Sequence, residues 1–60
     1  MKSGDTVRVL PSEYQRAGQI GRVVAEHGIL TGYVWVQFTP RRQELIGKKD
    51  LELISGRNHG

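Results

Sequence analysis

The sequence contains no cysteine, and its two histidines, His27 and His59, lie far apart. That excludes disulfides and a Cys/His metal site, the usual staples of a very small domain. No run approaches the roughly 18 apolar residues needed to cross a bilayer. The opening Met1-Lys2-Ser3-Gly4-Asp5 lacks the apolar stretch of a secretory signal. These absences lead us to expect a soluble, cytoplasmic protein with no membrane insertion, and the lack of cysteine fits a reducing compartment. Aromatic residues are also scarce: one tryptophan, two tyrosines and one phenylalanine. Any aromatic recognition surface must therefore come from a few identifiable side chains.

What is present is basic and short. Nine Lys and Arg against six Asp and Glu give a formal charge of +3, which favours an acidic partner, either nucleic acid or the acidic face of a protein assembly. A chain of 60 residues has room for one core, since at this size only about 60% of the unfolded surface is buried.

Glycine, proline, serine and aspartate cut the chain into short β-branched segments, and no window carries a helical apolar repeat. Thr6-Val7-Arg8-Val9-Leu10 alternates, with Val7 and Val9 on one face and Arg8 on the other. Pro11 ends it, and Ser12 to Gly18 reads as an exposed loop whose Tyr14 is the residue expected to pack or bind. Gln19 to Glu26 is the second strand, with Ile20, Val23 and Val24 as core candidates and Gly21 marking a bulge or a close backbone approach. A turn from His27-Gly28 to Thr31-Gly32 leads into Tyr33-Val34-Trp35-Val36-Gln37-Phe38, the strongest strand signal. With Val34, Val36 and Phe38 inward, period two turns Tyr33, Trp35 and Gln37 outward. A fourth strand is expected over Gln43 to Ile46, a tight or 3₁₀ turn over Gly47 to Asp50, a fifth strand over Leu51 to Ile54, and a flexible tail over 56–60. Five short strands around one core predict an all-β, small five-stranded SH3-like barrel over residues 1–55.

Two SH3-like families resemble these segments. Gly4-Asp5-Thr6-Val7-Arg8-Val9-Leu10 followed by Gly18-Gln19-Ile20-Gly21-Arg22-Val23-Val24 is similar to the KOW motif of ribosomal and transcription-elongation proteins. The same hairpin, with Val34-Trp35-Val36-Gln37-Phe38 and the ending Lys49-Asp50-Leu51-Glu52-Leu53-Ile54, resembles small accessory subunits of ferredoxin-linked electron transport: photosystem I subunit IV and the variable chain of ferredoxin–thioredoxin reductase. This second resemblance covers more of the chain. It implies a non-catalytic docking subunit on a larger protein assembly with an acidic surface, whereas the KOW resemblance implies an RNA, DNA or ribosome binder. The segment between Phe38 and Lys49 is short for the photosystem subunit, and the loop from Pro11 to Gly18 is less basic and less glycine-rich than a KOW loop.

The binding candidates follow from the outward positions. Tyr33 and Trp35, rimmed by Gln37, offer a flat aromatic surface that can stack on bases or anchor a protein interface. Arg8 and Arg22 on adjacent strands, with Arg41 and Arg42 in the following turn, can form one basic patch, and Tyr14 is a further contact. The competing reading gives these arginines only solvation and protection of sheet edges. No nucleophile has an activating base within reach of its segment, so no catalytic residue, metal ligand or cofactor is assigned, and His27 reads as a turn residue. A small oligomeric enzyme with Tyr33, Trp35 and Gln37 lining a shared pore is the distant alternative, and the oligomeric state stays open.

Overall fold

Alternation of buried and exposed side chains marks β-structure in the first three strands of this protein. The computed structural model describes residues 1–55; the tail expected over 56–60, with His59, lies outside them. β1 spans Thr6–Val9, β2 Ile20–Glu26, β3 Tyr33–Thr39, β4 Arg42–Gly47 and β5 Leu51–Ser55, with a 3₁₀ turn over Lys48–Asp50. The expected all-β class, five strands and 3₁₀ turn are thus present, with boundaries displaced by a residue or so. All pairings are antiparallel, in the order β4-β3-β2-β1-β5. The outer strands β4 and β5 are not paired with each other, so the sheet is open along that seam. Ile46 of β4 and Leu51 of β5 nevertheless share one buried cluster with Val7, Val9, Val23, Val34 and Val36, so the sheet curls around a single aliphatic core. No helix among the described residues is long and apolar enough to cross a membrane.

β3 has the orientation its period requires: Val34 and Val36 are fully buried and Phe38 packs partly buried against the core. β2 corrects the sequence reading. Of its three core candidates only Val23 is inside; Ile20 is 57% exposed and Val24 36%. The inward position beside Val23 belongs to Gly21, which faces Val7 across the ladder. A Cβ there would lie 2.7 Å from Val36 Cγ1 and 2.9 Å from the Gln37 carbonyl oxygen. Glycine therefore lets β3 approach closely, and Ile20 is forced onto the outer face with Arg22. The irregularity in β2 lies further on, between Val23 and Ala25, where Val24 is the extra residue and leaves the alternation.

The loop between β1 and β2 is a chain of tight turns tied to the body. The Ser12 hydroxyl donates to Asp50 at 2.7 Å, Arg16 is bonded to Glu44 of β4, and Arg42 donates to the Gln19 side-chain oxygen. Gly18, with φ +84, turns the chain back so that its N–H reaches the Val9 carbonyl at 2.8 Å.

Candidate binding face on the outer side of β2, β3 and β4

Register between strands decides which outward side chains become neighbours. Gln37 pairs with Arg22 on β2 and Gln43 on β4, Trp35 with Ala25 and Leu45, and Tyr33 with Gly47. These pairs form three rungs of one face. The bulge at Val24 brings Ala25, rather than Val24, opposite Trp35, so the indole stands between two small or aliphatic neighbours. Tyr33 lies over the side-chain-free Gly47, where a Cβ would be 3.5 Å from its ring.

His27 organises the end of this face. Its backbone N–H donates to the Tyr33 carbonyl at 3.1 Å. Its Nδ1 accepts from the Ile29 and Leu30 N–H groups at 3.1 and 2.9 Å. Its ring sits 6.4 Å from that of Trp35, tilted by 30°. The His27 ring thus fixes the turn and flanks the indole. The turn carries further apolar groups into solvent: with Trp35 at 37% and Tyr33 at 40% exposed, Ile29 is 85% exposed and Leu30 47%. Ile20, Leu53 and Ile54 are exposed elsewhere, but among the described residues this group alone combines two aromatic rings with aliphatic neighbours, the composition of an interaction surface.

Strand register puts Tyr33, Trp35, Gln37 and Arg22 on one face, and two of the four arginines expected to form a basic patch are ion-paired within the chain. Arg8 donates through Nε and Nη2 to Glu52 of β5 at 3.1 and 2.6 Å. Arg42 is held by Glu44 at 3.2 Å and by Gln19, with its guanidinium over the Phe38 ring at 4.8 Å. Arg8 is therefore ion-paired with Glu52 from β5, a partner distant in sequence, and Arg42 with Glu44, two residues along the same strand, while Gln19 adds an uncharged acceptor from the β1–β2 loop. Arg22 and Arg41 make no ion pair among the described residues. Tyr14, 79% exposed in a loop held to Asp50 and Glu44, is not packed against the protein.

Two concavities flank the aromatic rungs. One, of about 300 Å³, is lined by Arg22, Gln37, Phe38, Thr39 and Pro40. The other, of about 340 Å³, lies beside Tyr33 and is lined also by Thr31, Lys48 and Lys49. Lys48, Lys49, Thr31, Leu45 and Ala25 join the face through strand register and the 3₁₀ turn. Their one sequence signal is the alternation that puts Leu45 on the β4 face opposite to Ile46. Compared with models of protein families, with curated proteins and with solved structures, the chain matches none.

Proposed function

We propose that this protein is a non-catalytic docking module that binds a partner protein through the outer face of β2, β3 and β4. In kind this is the role implied by the resemblance to small accessory subunits of ferredoxin-linked electron transport. The observation that carries it is the exposed indole of Trp35, paired in register with Ala25 and Leu45, on the strand that also turns Tyr33 outward and next to the turn that leaves Ile29 and Leu30 exposed. Large aromatic side chains on a sheet face, surrounded by smaller apolar groups, are what a buried interface anchor requires.

The state of the cations favours this reading over a KOW-like nucleic-acid binder. Phosphate-backbone recognition needs several free Lys or Arg side chains along one track, and Arg8, Arg16, Arg42 and Lys48 are engaged with carboxylates of the same chain. Phe38, a further ring that could stack on a base, has the Arg42 guanidinium over it.

Affinity capture with the immobilised chain tests the docking reading. It should retain a stable complex that is lost with Trp35→Ala, provided circular dichroism shows the variant folded. An unchanged complex would exclude this face. Tight binding of single-stranded RNA or DNA, with a salt dependence that weakens when Arg22 and Arg41 become Gln, would replace the reading with nucleic-acid binding.

A further inference from the structure

We infer that the docking face takes an extended peptide segment whose apolar centre is flanked by acidic residues four to six positions apart; the inference rests on the docking reading and adds the chemistry of the partner. It follows from where the uncompensated charge sits. The carboxylates of Glu13, Glu44, Glu52 and Glu26 are paired with Arg16, Arg42, Arg8 and Lys48. Asp5 is buried and accepts the Lys2 N–H, and Asp50 accepts the Ser12 hydroxyl. The cations without an ion pair among the described residues are Lys2, Arg22, Arg41 and Lys49. Three of these four stand at the two ends of the face.

At one end Arg22 lines the concavity with Gln37 and Thr39, and Arg41 follows Pro40 in the adjoining turn. The guanidinium, the amide and the hydroxyl all have donors for an oxyanion, and Phe38 and Pro40 offer apolar contact to the carbon stem that carries it. At the other end Lys49 and Lys48 line the concavity beside Tyr33 and Thr31. Lys48 keeps Glu26 at 3.7 Å in a solvent-exposed pair; among the described residues Lys49 has no such partner. Among the described residues no carboxylate lines the Arg22 concavity; beside the other, Asp50 Oδ2 would lie 3.7 Å from a Gly47 Cβ, so Lys48 and Lys49 leave that end a net positive charge rather than an acid-free one.

Between these ends the middle rung carries no charge, because Ala25, Trp35 and Leu45 are its side chains. Along β3, Tyr33 to Gln37 spans about 13 Å and Tyr33 to Thr39 about 20 Å at the usual rise per residue. An extended ligand strand has the same rise, which sets the four-to-six-residue separation of its acidic groups. A nucleic-acid strand fits this pattern poorly, since its phosphates recur at every nucleotide and would cross the uncharged centre without a cation.

Selection of random 12-residue peptides displayed on phage against the full chain tests the inference, with Trp35→Ala as the control target. Enriched sequences should carry Asp or Glu at both ends of an apolar core with the stated separation. The emission of Trp35, the only tryptophan, should change as the synthesised peptide binds. The double variant Arg22→Gln/Arg41→Gln and the single variant Lys49→Gln should each weaken binding about three- to fivefold, as partly exposed ion pairs do. Enriched peptides without acidic ends, or affinities unmoved by these variants, overturn the inference while sensitivity to Trp35→Ala leaves the docking face standing. Enrichment no greater than on Trp35→Ala overturns both, and so does binding of a single-stranded oligonucleotide with retention of the selected peptides absent.

Discussion

Trp35 is placed by its neighbours rather than by the core, and this separates its contribution to binding from its contribution to stability. The residue is 37% exposed, is paired in register with Ala25 and Leu45 and has the His27 ring centroid 6.4 Å away, so truncation opens onto solvent rather than leaving a sealed cavity. Trp35→Ala should therefore cost only about 1–2 kcal/mol, well short of the 3–5 kcal/mol typical of fully buried tryptophan. Chemical denaturation monitored by far-ultraviolet circular dichroism measures this. A loss in the buried range would mean that the indole is a structural residue, and the capture experiment would lose its meaning. Gly21 shows the opposite case. Its missing side chain is a packing requirement, since a methyl group would meet Val36 Cγ1 at 2.7 Å and the Gln37 carbonyl at 2.9 Å. The carbonyl belongs to a paired strand and cannot swing aside, so Gly21→Ala should destabilise by about 1–3 kcal/mol through overpacking. A neutral or stabilising Gly21→Ala, read in the same denaturation experiment, would show that β3 can retreat from β2.

At the scale of elements, the β1–β2 loop is held by side chains that sequence reading assigns to solvent. Arg16 bonds both Glu13, at 3.0 Å, and Glu44 of β4, while Gln19 receives Arg42. These side chains are partly exposed, so the ion pairs contribute little to global stability but decide whether the loop stays docked. Arg16→Gln should lower the unfolding free energy by less than about 1 kcal/mol while raising amide hydrogen exchange through residues 11–18. Unchanged exchange in that segment would show that the Ser12 to Asp50 bond and the backbone turns suffice. The same element marks where the sequence is legible and where it is not. Val7, Val9, Val34 and Val36 are read correctly because a strand displays its period in its own residues. Ile20 and Val24 are misread because hydrophobicity does not reveal that Gly21 occupies the inward slot or that a bulge follows Val23. The members of the candidate face divide in the same way. Tyr33, Trp35, Gln37 and Arg22 follow from period two, whereas Leu45, Thr31 and Lys49 depend on the register of β4 and the path of the 3₁₀ turn. The pairing of Arg8 depends on Glu52, distant in sequence, which no local pattern shows, whereas Glu44, the partner of Arg42, stands two residues away on the same strand and face.

For the whole molecule, one small core without disulfides must supply the stability. Among the described residues seven aliphatic side chains are buried in one cluster, and a single core of this size rarely supplies more than about 3–5 kcal/mol. The core draws on all five strands, so the strands stand or fall together. β5 is the most exposed to test, being an edge strand that pairs only with β1 and leaves Leu53 54% and Ile54 45% exposed. Exposure suggests that it is dispensable; its contacts argue otherwise. Removing it takes Leu51 out of the core, strips Val7 and Val9 of cover on one side and leaves Arg8 without Glu52. The Leu51 loss alone, at about 2–5 kcal/mol for a buried leucine, is comparable with the whole stability expected of the domain. A chain ending at Asp50 should therefore be unfolded, with collapsed amide dispersion in a proton–nitrogen correlation spectrum. A dispersed spectrum would show that four strands suffice and that the fifth serves the surface alone.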